Sequence, residues 1–158
     1  EHMEKKVDYD VITDKVTVPY ELAYGPTWTR FMEGLSQEKI LGSRCSECGR
    51  VLVPARSYCP RCFIEISDFI EVSQQGTLMG WVLTDYEYYG MPTKPPFLSG
   101  FIKLDGTDCN FLHLIGGIDL SDAEAVRRKV KNGMKVKAVW NKEKRGHIMD
   151  IQYFTLVK

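Results

Sequence analysis

Four of the five cysteines fall into two CxxC pairs, Cys45-Ser46-Glu47-Cys48 and Cys59-Pro60-Arg61-Cys62, with ten residues between them. Two short turns can bring such pairs together. Four thiolates around one ion is the closed tetrahedral arrangement of structural Zn²⁺, which leaves no open position for a substrate. Gly49 supplies the backbone freedom of a tight turn after the first pair, and Pro60 stiffens the second. Between the pairs, Arg50-Val51-Leu52-Val53 reads as a short strand. The pattern is that of a four-cysteine zinc ribbon, with Cys45, Cys48, Cys59 and Cys62 as ligands. A redox dithiol fits poorly, because no βαβ pattern surrounds either pair. Two disulfides would suit a secreted chain, yet no segment reads as a signal peptide. Iron in a rubredoxin-like site stays open as the alternative metal. An ion of this kind holds a small domain together by roughly 10–16 kcal/mol of apparent binding energy and performs no chemistry.

The other reactive side chains are scattered. His113 lies in the apolar run Phe111-Leu112-His113-Leu114, where a hydrogen-bonded structural histidine is the common case, and His147 follows a turn. Cys109 sits between Asp108 and Asn110; a nucleophilic role needs a base close by, and the sequence places neither histidine there. No phosphate loop, nucleotide fingerprint or HExxH motif is present. No catalytic residue is expected.

The elements that position these groups are mostly strands. In front of the ribbon, Pro26 opens a short helix whose Trp28, Phe31, Met32 and Leu35 recur at helical spacing, ending soon after Leu35. That stripe fits the chain's own core and a partner protein equally well. Beyond the ribbon, segments 69–73, 77–88, 97–104, 111–114, 135–141 and 147–155 are rich in β-branched and aromatic residues, with glycines between them. One helix interrupts them, with Ser121-Asp122-Ala123-Glu124 as a capping box in which Ser121 is the cap. Roughly five strands with one helix between the third and fourth is the order of an OB-fold barrel. The expected fold is therefore mainly β: an extended arm over 1–26, helix and ribbon over 27–68, and a five-stranded OB-fold domain with one helix over 69–158. Glu1-His2-Met3 reads as a tag remnant. The loop 86–96 is too Pro-rich for a strand and too aromatic for an idle linker.

Across its 158 residues the chain balances 21 Lys and Arg against 21 Asp and Glu. Zero net charge argues against a protein whose affinity rests on neutralising phosphates. No apolar run approaches a membrane span. Metal-spaced thiols with one further cysteine point to a reducing compartment, so the cytoplasm is expected.

A short aromatic helix, a ribbon and a barrel, in that order, resemble the DUF35 family. The resemblance rests on Phe31 and Leu35, on Arg44-Cys45-Ser46-Glu47-Cys48-Gly49, on Val53-Pro54-Ala55-Arg56 and on Cys59-Pro60-Arg61-Cys62. It continues in Gly76-Thr77-Leu78 and Gly133-Met134-Lys135-Val136, and covers about residues 27–156. Ala55 stands where that family usually has a second proline, and the loop 86–96 is not a general family feature. The resemblance implies a rubredoxin-like zinc ribbon and OB domain that accompany a thiolase-fold enzyme acting on acyl-CoA. The chain would then be a non-catalytic subunit of a hetero-oligomer, supporting assembly and sharing CoA or acyl-CoA with the catalytic partner, in the degradation of a bulky aromatic acyl-CoA. Trp28, Phe31 and Met32, with Tyr88 and Tyr89, are the expected partner contacts. Arg56 and Lys94, with the same two tyrosines, are the groups placed to meet CoA; a solvated surface charge is the plain alternative for each cation. Two other classes stay open: a single-stranded nucleic-acid binder, since ribbons and OB folds both recur there, and a stand-alone CoA or lipid carrier.

Overall fold

The computed structural model describes residues 10–12, 16–91 and 93–157. Helix α1 (Gly25–Ser36) is followed by a three-stranded antiparallel sheet, β1 (Ile40–Arg44), β2 (Val51–Leu52) and β3 (Asp68–Val72), in the order β2-β1-β3. The chain then forms a closed barrel from β4 (Gln75–Thr84), β5 (Phe97–Leu104), β6 (Phe111–Gly116), β7 (Lys135–Trp140) and β8 (Ile151–Leu156). Helix α2 (Ala123–Lys129) lies between β6 and β7. β6 and β8 pair in parallel and every other barrel contact is antiparallel, so the order β4-β5-β6-β8-β7 closes on β4. This is the expected five-stranded OB-fold. The arm expected over 1–26 falls partly on residues 1–9 and 13–15, which lie outside the described residues, as does the tag remnant Glu1-His2-Met3.

Alternation explains the barrel. Leu98, Ile102 and Leu104 of β5, Phe111 and Ile115 of β6, Val136 and Ala138 of β7, and Phe154 of β8 turn inward and are buried. Val126 and Val130 from the α2 region join the same core. The cap of α2 is Asp122, not Ser121: the Asp122 carboxylate accepts from the N–H of Glu124 and Ala125 at 2.9 and 3.2 Å. A carboxylate is the stronger acceptor and offsets the helix dipole, so it takes the place expected of the hydroxyl. Glu124, freed from a capping box, pairs with Arg127.

The stripe on α1 resolves in favour of the chain's own core. Phe31, Met32 and Leu35 are buried with the barrel residues in one continuous cluster. Gly34 lets β1 approach, since a Cβ there would stand 2.9 Å from Leu41. The Arg30 guanidinium lies 4.4 Å over the Phe69 ring of β3. Phe31 and Met32 are thus unavailable to a partner, contrary to expectation, and Trp28 alone of the three keeps 43% of its surface.

Candidate metal centre and the surfaces around it

The two cysteine knuckles are near copies. In each, the first cysteine's N–H donates to the carbonyl five residues on, Arg50 or Ile64, at 2.9 Å. Its carbonyl accepts from the N–H four residues on, Gly49 or Phe63, also at 2.9 Å. That turn needs a positive φ at its fourth following residue. Gly49 adopts 70° without a steric penalty; Phe63 adopts 58° and leaves its ring 83% exposed. A bulky side chain in the left-handed region is costly and here gains little burial of its own.

The knuckles bring Cys45, Cys48, Cys59 and Cys62 together, their sulfurs all within 4.8 Å of one another and none in a disulfide. Cys48 and Cys59 Sγ are 3.7 Å apart. The edge of a tetrahedron with Zn–S bonds of the usual length is about 3.8 Å. Cys45 and Cys59 are buried with Leu52 and Ile66. Proton chemistry makes the same point. The backbone N–H of Cys62, helped by that of Arg61 and by the neighbouring thiols against the cost of burial, lowers the Cys59 thiol to about 6. Cys62 is pushed up to about 12, first by its hydrogen bond with Cys48, then by burial. Cys59 is thus eased towards the thiolate, while Cys62 is held back by its neighbours. A divalent cation at the centre is what would hold all four ionised, so the residues present fit a structural zinc ion.

The other side chains capable of chemistry are built into the structure. Cys109 Sγ accepts the Val53 N–H at 3.0 Å and donates to the Val53 carbonyl at 3.3 Å. Next to it, the Asp108 carboxylate and N–H bond the Val51 N–H and carbonyl, each at 2.9 Å. The β5–β6 loop thereby closes the outer edge of β2 and ties the barrel to the ribbon. His113 stacks on Phe111, meets Phe154 edge-on, and bonds the Ile148 carbonyl through Nε2 at 3.2 Å. Its Nδ1 is buried without a partner. Burial lowers its pKa, against the smaller opposing effect of the Ile148 carbonyl and the nearby Leu114 backbone. His147 Nδ1 accepts from Met149 N–H as the cap of the short 3₁₀ turn Ile148–Asp150.

Arg56, Lys94, Tyr88 and Tyr89 are all exposed. Arg56 follows Pro54 in the ribbon, its N–H held by Ser43 Oγ, while the other three sit in the β4–β5 loop. No contact among the described residues gathers the four into one site.

Two features of the surface had no counterpart in the sequence reading. An open cleft of about 1100 Å³ lies between Tyr24 and Trp140 and the loop that carries Lys142, Arg145 and His147. Asp150 shapes that loop. Burial raises its pKa, but the N–H groups of Arg145, His147 and Gly146 on its carboxylate overcome this and leave it lowered. The ion pair from Lys144 to Glu38, 2.7 Å, docks the loop beside α1. The second feature is an apolar strip on the outside of the barrel. Phe101 and Leu112 are direct cross-strand partners, Gly80 stands opposite Phe101, and Val82 follows on β4. Val82, Phe101 and Leu112 keep 48–58% of their surface. Alternation alone would have turned these positions outward, but only the register shows that they adjoin.

Comparison with known families assigns residues 32–65 to the ChsH2 rubredoxin-like zinc ribbon domain and residues 69–141 to the ChsH2 C-terminal OB-fold domain. This chain carries both ChsH2 domains. Among solved structures, a DUF35-family protein of unknown function from Sulfolobus solfataricus is 27% identical, covers 84% of each chain and gives a TM-score of 0.58. The Ltp2–ChsH2(DUF35) aldolase shares the fold at 16% identity, covering 80% of this chain and 90% of that one, with a TM-score of 0.57. No curated protein matches the sequence. The ChsH2-type ribbon accounts for the four-sulfur cluster. Among the described residues, no helix is long and apolar enough to cross a membrane.

Proposed function

We propose that this ChsH2-type chain is the non-catalytic, zinc-bearing subunit of a heteromeric thiolase-like acyl-CoA acyltransferase. It supports assembly of the complex and binding of CoA or acyl-CoA, in the breakdown of a bulky aromatic thioester such as benzoylsuccinyl-CoA. The outward strip of Val82, Phe101 and Leu112 carries the reading: a barrel with a filled core has no internal use for it. Such a strip suits the core of a permanent interface. The tying of Cys109, His113 and His147 into structural hydrogen bonds supports a division of labour in which the partner supplies the reacting groups. Arg56 and Lys94, with Tyr88 and Tyr89, are the proposed contacts to CoA phosphates or to the partner, all four being exposed.

A thiolase consumes free CoA and yields two thioesters. The likeness to an aldolase complex supports a second reading, in which a β-hydroxyacyl thioester is cleaved to a carbonyl compound and a shorter thioester without free CoA. Assaying the catalytic subunit with and without this chain, with and without CoA, separates the two. Activity that needs both this chain and free CoA supports the thiolase reading, and CoA-independent release of a carbonyl product supports the other. A catalytic subunit equally active and soluble without this chain would refute both.

A further inference from the structure

Residues 16–24, Val-Thr-Val-Pro-Tyr-Glu-Leu-Ala-Tyr, run without helix or strand ahead of α1, and every one of them is exposed. Val16, Val18, Tyr20, Leu22 and Tyr24 alternate strictly with Thr17, Pro19, Glu21 and Ala23. The first four apolar side chains keep 73–83% of their surface, far beyond what a free tail gains by carrying them. Period two is the pattern of a strand with one apolar face. In an extended chain the same parity sorts the backbone: the N–H and C=O groups of the even residues point to one edge, and those of the odd residues to the other. Pro19 removes a donor from the odd edge, which makes that edge the outer one.

Residues 16–24 pair with no strand of the described chain, although β3, last in the order β2-β1-β3, keeps an unpaired outer edge. The barrel is closed, and the Asp108 and Cys109 loop covers the outer edge of β2. The only charge between residues 16 and 24 is Glu21. A phosphate backbone or an anionic lipid surface would call for cations, so the charge favours an apolar protein surface.

We propose that residues 16–24 are a docking strand that pairs, through the backbone of its even-numbered residues, with an open sheet edge of the catalytic partner subunit, laying Val16, Val18, Tyr20 and Leu22 into an apolar groove beside it. The inference rests on the subunit reading above and names the element that makes the contact.

Parity provides the test. In the complex of the full chain with its catalytic subunit, Val18→Asp and Leu22→Asp should each weaken binding by about tenfold or more, the effect of losing one buried apolar side chain. Thr17→Asp and Ala23→Asp should stay within about threefold. Glu21→Pro, which removes a donor from the edge that Pro19 already leaves open, should be tolerated. Amide hydrogen exchange over 16–24 should be fast in the isolated chain and slow in the complex. Equal effects at odd and even positions, or fast exchange in the complex, would overturn the docking strand while leaving the subunit reading intact. Slow exchange in the chain alone, rising with its concentration, would overturn it in favour of a second copy as the occupant. A wild-type chain that binds no catalytic subunit would overturn both. These variants lie outside the packed body, so unchanged zinc content and thermal stability should accompany every one.

Discussion

Cys109 is the position where a structural and a chemical role diverge most sharply. Its thiol satisfies both backbone groups of Val53, a residue only 1% exposed, and so closes the joint between ribbon and barrel. Cys109→Ala would leave one buried N–H and one buried carbonyl without partners, each worth about 1–3 kcal/mol. Partial relaxation of the loop should bring the total to about 2–4 kcal/mol. Cys109→Ser retains a donor and an acceptor on a shorter bond and should cost about 1 kcal/mol. Urea unfolding followed by tryptophan fluorescence, with zinc counted on the same samples, should give midpoints in the order wild type, serine, alanine at unchanged slope. The complex assembled with the serine variant should turn over at the wild-type rate. An alanine variant as stable as wild type would show that the sulfur bonds contribute nothing. A folded, zinc-loaded serine variant whose complex is inert would make Cys109 a reacting group and refute the structural account.

Other outcomes follow from the same geometry. Phe63→Gly relieves a side chain held at a positive φ and should stabilise the isolated chain by up to about 1 kcal/mol in thermal unfolding, the gain in φ outweighing the added freedom of the unfolded glycine; Gly49→Phe should do the reverse. His113 binds a proton less readily folded than unfolded, so stability is full above its ordinary value of 6.5 and is lost as pH falls below it. The slope from this group is at most about 1.4 kcal/mol per pH unit, and His113→Phe should flatten the stability profile between pH 5 and 7. Asp150→Ala strands the N–H groups of Arg145, Gly146 and His147 and should cost about 2–4 kcal/mol while loosening the cleft loop, read by hydrogen exchange over 142–150. Cys48→Ser, or chelation of the metal at neutral pH, should remove zinc and the soluble fold together; a variant that stays folded and metal-loaded but is inactive would contradict a structural ribbon.

Periodicity and ligand spacing made much of this legible in the sequence. The CxxC pairs carry their own geometry, because four sulfurs at those intervals have few ways to arrange themselves. Strand alternation likewise dictated the barrel, since a one-residue slip would expose Leu98 and Ile102 together. What escaped was decided by contacts between distant segments. The α1 stripe could not tell core from partner, because Phe31 and Leu35 are covered by residues far along the chain. Nothing in the sequence marks Phe63; only its equivalence to Gly49 reveals the left-handed turn. The cleft of Tyr24, Trp140, Arg145 and His147 joins the two ends of the sequence and has no local signature. The burial of α1 also limits truncation: a deletion that probes docking must stop before Gly25, because removing residues 4–35 would take Phe31 and Leu35 out of the core.

The most direct measurement is to recover the full chain from its native host under mild conditions and determine the identity, stoichiometry and acyl-CoA activity of what accompanies it. The account predicts a thiolase-fold catalytic subunit in fixed ratio, one zinc per copy of this chain, and acyl-CoA cleavage in the purified complex. Recovery of the chain alone as a stable monomer, or with nucleic acid that dissociates in salt, would contradict it.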